Sequence, residues 1–217
     1  MKETGLMFKA PLVLAILSGQ KTQTRRIIKN QPFDVSWSKR DHEIGYVTGR
    51  ASQGDEADGL AAYTKHGGGT WCAKSPVGQP GDRIYVREAH AHHPQFPQMA
   101  FRAVGEEFED ADGWRWEPKW TPAIHMKKEE ARIWLEITGV RVERLQQITE
   151  ADCIAEGIAY DPGEGGVFHV PGFAGCSSDA ATGAFQKLWE STGGDWAANP
   201  WVWVIDFKTI STTSRPA

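Results

Sequence analysis

The sequence predicts an α+β fold in which a bent β-structure is flanked by short helices, and three features carry that prediction. In RIWLEITGVRVERL the apolar positions are Ile133, Leu135 and Ile137, then Val140 and Val142, so the parity flips across Gly139. A glycine at such a phase change reads as a β-bulge, which bends a strand as a barrel wall requires. The stretch WVWVIDFK alternates Trp201, Trp203, Ile205 and Phe207 against Val202, Val204, Asp206 and Lys208. Both faces are apolar until Asp206, which puts this strand inside a sheet. Finally, three segments combine helical spacing with start and stop residues.

Taken in order, the first helix rests on Phe8, Leu12, Val13, Ile16 and Leu17, with Pro11 in the first turn and Gly19 just past the end. Thr22, Thr24, Ile27 and Ile28 then favour an extended segment over Lys21 to Lys29. From Gln31 to Pro80 the composition shifts to Gly, Ser, Asp, Lys and Gln, including HGGG from His66, and reads as a surface insertion with short hairpins around Ile44 to Val47. Pro80-Gly81-Asp82 is a turn, after which Ile84, Val86, Glu88, His90 and His92 fall on one strand face that begins apolar and turns polar. Residues 94–131, with several prolines and Trp114, Trp116 and Trp120, carry no sustained period. In ITEADCIAEGI, Thr149 is an N-cap, Ile148 and Cys153 suit a hydrophobic staple, and Gly157 is a stop. The third helix uses Ala180, Ala181, Ala184, Phe185, Leu188 and Trp189, opened by Ser177 and Ser178 and closed near Gly193. Beyond Thr209 the sequence predicts a disordered tail.

The 217 residues fit one domain over 1–208, with insertions at 31–78 and 94–131. A formal net charge of −4 excludes the overall basic field of a sequence-independent nucleic-acid binder, so any such role is local. Cys72, Cys153 and Cys176 have neither an even count nor a metal spacing, which argues against disulfides and zinc and fits a reducing cytoplasm. The apolar run Pro11 to Leu17 is too short to cross a bilayer and lacks a signal-peptide layout, so no membrane partner is expected.

Four groups of residues are candidates for chemistry. Lys21, Thr22, Thr24, Arg25 and Arg26 crowd together after a helix stop, as either an exposed basic strand or a site. A threonine hydroxyl becomes a nucleophile when a base takes its proton, and a lysine serves when burial or a neighbouring cation lowers its pKa. In an ideal strand positions three apart face opposite ways, so Lys21 and Thr24 converge only if the chain turns between them. Glu156 sits at the negative end of its helix, either tolerated there or placed for function. Glu88 is a candidate ligand contact where its strand face turns polar, and HAHH is either a set of surface histidines or a weak metal signal. Trp114, Trp116, Trp120 and Trp196 either pack loops or stack on bases.

The blocks GQKTQTRR, PGDRIYVREA, LEITGVRVERLQQITEADCIAEGI and LWEST with NPWVWVIDFK together resemble the ASCH-domain family of the PUA-like superfamily, in its phage and prophage branch. They span roughly 8–29, 79–91, 132–158 and 185–208, about half the chain. The resemblance implies a small bent β-barrel with flanking helices. A compact bacterial member of the family hydrolyses N4-acetylcytidine with a threonine, a lysine and a glutamate, which fall by motif on Thr24, Lys21 and Glu156. On that implication Lys21 deprotonates Thr24, Glu156 moves a proton to the leaving amine, and Arg25 and Arg26 tune Lys21, stabilise an oxyanion or grip a phosphate. No metal and no cofactor are implied, and the partner is a small-molecule nucleoside or nucleotide. The family also implies an alternative, a non-catalytic module that binds single-stranded RNA through Lys21, Arg25 and Arg26 with tryptophans stacking on bases. A third reading is a ligand sensor or interaction protein that keeps the fold without turnover.

Overall fold

A computed structural model describes residues 1–29, 31, 43–47, 59–66, 69–93, 99–105, 108–109, 115–163 and 165–216. In chain order come β1 (Glu3–Met7), α1 (Ala10–Leu17), β2 (Gln23–Ile27), β3 (Glu43–Val47), β4 (Gly59–His66), β5 (Gly69–Lys74), β6 (Arg83–Arg87) and β7 (His90–His92). They are followed by β8 (Met99–Phe101), β9 (Phe108–Glu109), β10 (Arg115–Trp116), β11 (Trp134–Arg144), α2 (Glu150–Ala155), β12 (Ala159–Asp161), β13 (Val167–His169), α3 (Ala181–Ser191) and β14 (Trp201–Ser211). The fold is mixed α+β, with most of its regular structure in sheets. Among the described residues no helix is long and apolar enough to cross a membrane.

The core sheet has the order β1-β6-β11-β14-β2, with β1 parallel to β6 and every other pair antiparallel. Its bend lies where the parity flip puts it. Ile137 pairs with Phe207 and Gly139 with Asp206, so Thr138 is the extra residue of a bulge. A Cβ on Gly139 would come within 3.0 Å of Asp206 Oδ2, which gives the glycine a second reason to be there. β14 runs inside the sheet between β11 and β2, and Trp201 to Ile205 are buried on both faces, as their apolar pattern requires.

The described residues do not close the barrel that the sequence suggests; the sheet is open, with β1 and β2 as its edges. α1 links those edges and sends Leu12, Val13, Ala15 and Ile16 into the core. Across the seam the Arg26 side chain donates to the Met7 carbonyl at 2.9 Å, where a closed barrel would have a backbone ladder.

Both predicted stops hold. Gly19 has φ +77° after α1 and Gly157 φ +104° after α2, the left-handed conformation that glycine adopts without a steric penalty. Thr149 caps α2, accepting from Asp152 N at 3.1 Å. α3 starts at Ala181, later than the serines suggest. Ser178 exchanges two backbone bonds of 2.8 Å with Phe168, and this extended pairing excludes it from the helix.

Three other expectations change. Part of the 31–78 insertion is a three-stranded antiparallel sheet, β3-β4-β5, in which Ala61 and Ala62 are buried. The C-terminal residues are not a loose tail: β14 pairs through Ser211 with Trp134, and Arg215 donates to Glu3 at 2.8 Å. The strand after the Pro80 turn breaks at Glu88, so burial alternates through His90 but His92 is exposed on β7, which pairs with β8. Trp196 packs against Phe185 and Trp116 lies beside His93, whereas Trp114 is outside the described residues.

Candidate active site

Lys21 is the residue around which the site is built, because its ammonium is 1% exposed. The stop at Gly19 ends α1 and ties Lys21 N to Ala15 O at 2.9 Å, which turns the side chain inward before β2 begins. Glu156 arrives from the other side as the C-cap of α2. A Cβ on the following Gly157 would lie 3.2 Å from Ala15 Cβ and 3.6 Å from Lys21 Cβ, so the two chain stops are packed directly together.

All three Nζ protons of Lys21 are engaged: with Glu156 Oε2 at 2.6 Å, Gln23 O at 2.7 Å and Glu156 O at 2.8 Å. Burial pushes the Lys21 pKa down, Glu156 pulls it partly back, and the charges of Arg26 and Arg25 press it down again, with a net lowering. A buried ammonium stripped of water needs this full set of acceptors.

Arg25 is a fully buried brace. Its guanidinium donates to Gln23 Oε1, reaches Glu156 Oε1 at 3.4 Å, and pairs with Glu143 at 3.1 Å and Asp152 at 3.4 Å. Gln23 and Arg141 extend the network to Asp152 and Asp206. Burial raises the Asp152 pKa, but hydrogen bonds from Thr149 and Gln23 and the charge of Arg25 outweigh it and bring the carboxyl to about 2. Arg26 differs from Arg25. Besides its bond to Met7 O it stacks 5.1 Å from the Phe8 ring centre; like that of Arg25, its buried Nε has no hydrogen-bond partner among the described residues.

Lys21, Thr24, Arg25, Arg26 and Glu156 line one cavity of about 380 Å³. Phe8, Leu12, Phe185, Leu188 and Trp189 supply its apolar wall, and Met7 brings in the opposite edge of the seam. Thr24 lies on β2 opposite Ile205, and Lys21 precedes the strand, so the three-residue separation does not force them to opposite faces.

Of the candidates named from the sequence, Lys21, Thr24, Arg25, Arg26 and Glu156 share this cavity, and Glu88 does not line it. Glu88 is buried and bound by Arg132 through two bonds, of 2.9 and 3.0 Å. Its strand face turns polar where it meets the Arg132 guanidinium. The sequence reading missed Gln23, Glu143 and Asp152 behind the cavity. Their signals were the glutamine inside GQKTQTRR and the acceptor at the third position of the α2 cap, where Asp152 accepts from Thr149 N at 3.2 Å. Comparison with family models, with curated proteins and with solved structures finds no match.

Proposed function

We propose that this chain is a PUA-like domain of the ASCH type acting as an amidohydrolase that removes an acyl group from a modified nucleoside such as N4-acetylcytidine. The observation that carries the reading is the buried Lys21–Glu156 contact of 2.6 Å opening onto the same cavity as Thr24. The cavity volume, about 380 Å³, falls within the range of small-molecule sites, and the rings of Phe8, Phe185 and Trp189 suit a flat base.

The chemistry starts with the ion pair. Substrate entry expels water, which favours the neutral form of a buried pair, so the proton passes from Lys21 to Glu156 and leaves an amine beside a carboxylic acid. The amine accepts the Thr24 hydroxyl proton as Oγ bonds to the acyl carbon. Arg26, which lines the cavity, is the cation available to the developing oxyanion. Collapse breaks the C–N bond, Glu156 protonates the departing N4 amine, and the acyl group remains on Thr24. A water then gives a proton to Glu156 and attacks the ester; Lys21 returns a proton to Thr24, acetic acid leaves and the neutral pair is restored.

The test is incubation with N4-acetylcytidine and chromatographic detection of cytidine. Lys21→Ala is expected to slow turnover by about 10²–10⁴-fold, the span of general acid–base catalysis, and Thr24→Ala by at least as much. Absence of turnover by the wild type overturns the reading. A second reading, a non-catalytic module for a nucleotide or single-stranded RNA, is favoured by one observation: all three Lys21 protons are held by acceptors on Glu156 and Gln23, the arrangement of a charged lysine and not of a free base. Salt-sensitive binding of single-stranded RNA without turnover would establish it.

A further inference from the structure

A second cluster of chemically capable side chains lies outside that cavity. His90 and His92 are two apart on β7, and Glu130 is carried to both of them by the 3-10 turn Lys128–Glu130. His92 Nε2 is 3.2 Å from Glu130 Oε1, and His90 Nε2 is 3.8 Å from Glu130 Oε2. The two imidazole nitrogens and the carboxylate all fall within 4.8 Å of one another.

The rings and the carboxylate are held in place. His90 Nδ1 lies 3.2 Å from the Glu88 carbonyl, and a carbonyl only accepts, so Nδ1 carries the proton and Nε2 presents its lone pair to the cluster. This is the outer partner that fixes the tautomer of a metal-binding histidine. The Glu88 to which that carbonyl belongs is itself clamped by Arg132. Glu130 Oε2 accepts from Lys127 N at 2.7 Å, which restrains rotation of the carboxylate.

We propose that His90, His92 and Glu130 bind one divalent transition metal of the zinc class, with a fourth position open to water. Two imidazoles and one carboxylate suit zinc, copper, iron or nickel better than calcium or magnesium. Bonds of about 2.0–2.1 Å in a tetrahedron set donor atoms about 3.3–3.4 Å apart. The observed separations of 3.2 Å to Oε1 and 3.8 Å to Oε2 bracket that value, and all the donor atoms already lie within 4.8 Å of one another. The ion would also act at a distance. His90 exchanges backbone bonds of 3.2 and 2.7 Å with Thr121, just before the turn Ala123–His125 that lends Ala123 to the cavity wall. Metal at this corner therefore pins one side of the cavity through the segment from Thr121 to Glu130.

The experiment uses the full chain without an affinity tag, stripped with chelator, titrated with Zn²⁺ by calorimetry and with Co²⁺ by visible absorption. One Zn²⁺ per chain and the strong visible bands of four-coordinate Co²⁺ are expected. His92→Ala and Glu130→Gln should each weaken binding by more than the ~10–100-fold that loss of an orienting partner costs. The His92 side chain is 57% exposed, so this variant keeps its fold, which circular dichroism verifies. No stoichiometric binding by the wild type, or undiminished binding by His92→Ala, overturns the proposal.

Discussion

Glu88 and Glu156 are two buried glutamates, each gripped by a basic side chain, yet they serve different ends. Glu88 is held by the guanidinium of Arg132 in a two-bond fork, with its carboxylate enclosed by protein. Glu156 is held by the ammonium of Lys21, with Arg25 behind it, and opens onto the cavity. A planar fork against a carboxylate fixes geometry and keeps its charge; a lysine in the same position can surrender a proton. One pair is therefore a fastener and the other can be a reagent. Burial and charge alone do not separate them; the identity of the cation and the presence of a void do.

Breaking each pair in turn is the strongest way to sharpen the contrast. Arg132→Met and Lys21→Met are both expected to cost about 3–5 kcal/mol, the usual penalty for leaving a buried charge unmatched, read as a shift in urea midpoint. Only Lys21→Met should abolish deacylation measured under conditions where both variants remain folded. Equal loss of activity in the two would reduce the Lys21 pair to another fastener.

A smaller effect tests whether close approach at the Lys21 pair matters. Gly157→Ala meets both a φ of +104° and contacts with Ala15 and Lys21, whereas Gly81→Ala, near the other pair in sequence, meets φ +90° with nothing within 4 Å. Each should lose about 1–3 kcal/mol from backbone strain. Gly157→Ala should lose more, and it alone should depress activity.

The smallest effect is one of pH. The folded pKa of Lys21 is depressed by burial, so the unfolded chain binds the extra proton and stability rises with pH from the folded value towards the ordinary lysine value, about 10.4. Urea midpoints across that window should climb for the wild type. The climb should vanish in Lys21→Arg, because guanidinium does not titrate there.

The contrast also explains what could be read from the chain alone. Local rules place the stops at Gly19 and Gly157, the Thr149 cap and the bulge at Gly139, because each depends on neighbours within a few residues. The alternation Ile84, Val86, Glu88 correctly makes Glu88 inward-facing. It could not reveal that the space there is filled by Arg132, 44 residues away. Lys21 and Glu156 are 135 residues apart, and only the resemblance to a known family pairs them before the fold does. Glu130 carried no signal, since it lies in a stretch without periodicity, and nothing local marks the approach of a turn to two histidines. The hairpin strand around Ile44 to Val47 could be read, but β4 and β5, which complete its sheet, were hidden by a surrounding composition rich in glycine and serine, which resembles loop more than strand.

The unclosed seam between β1 and β2 has a consequence for how a guest gets in. Parting any neighbouring strands elsewhere in the sheet means unzipping a row of backbone bonds, but here, among the described residues, the clasp is the hydrogen bond from Arg26 to Met7, worth about 1.5–3 kcal/mol, with the stacking of Arg26 on Phe8. The molecule can thus widen at its own mouth by releasing a single latch, and a bulky occupant that engages Arg26 would replace the very tie it displaces.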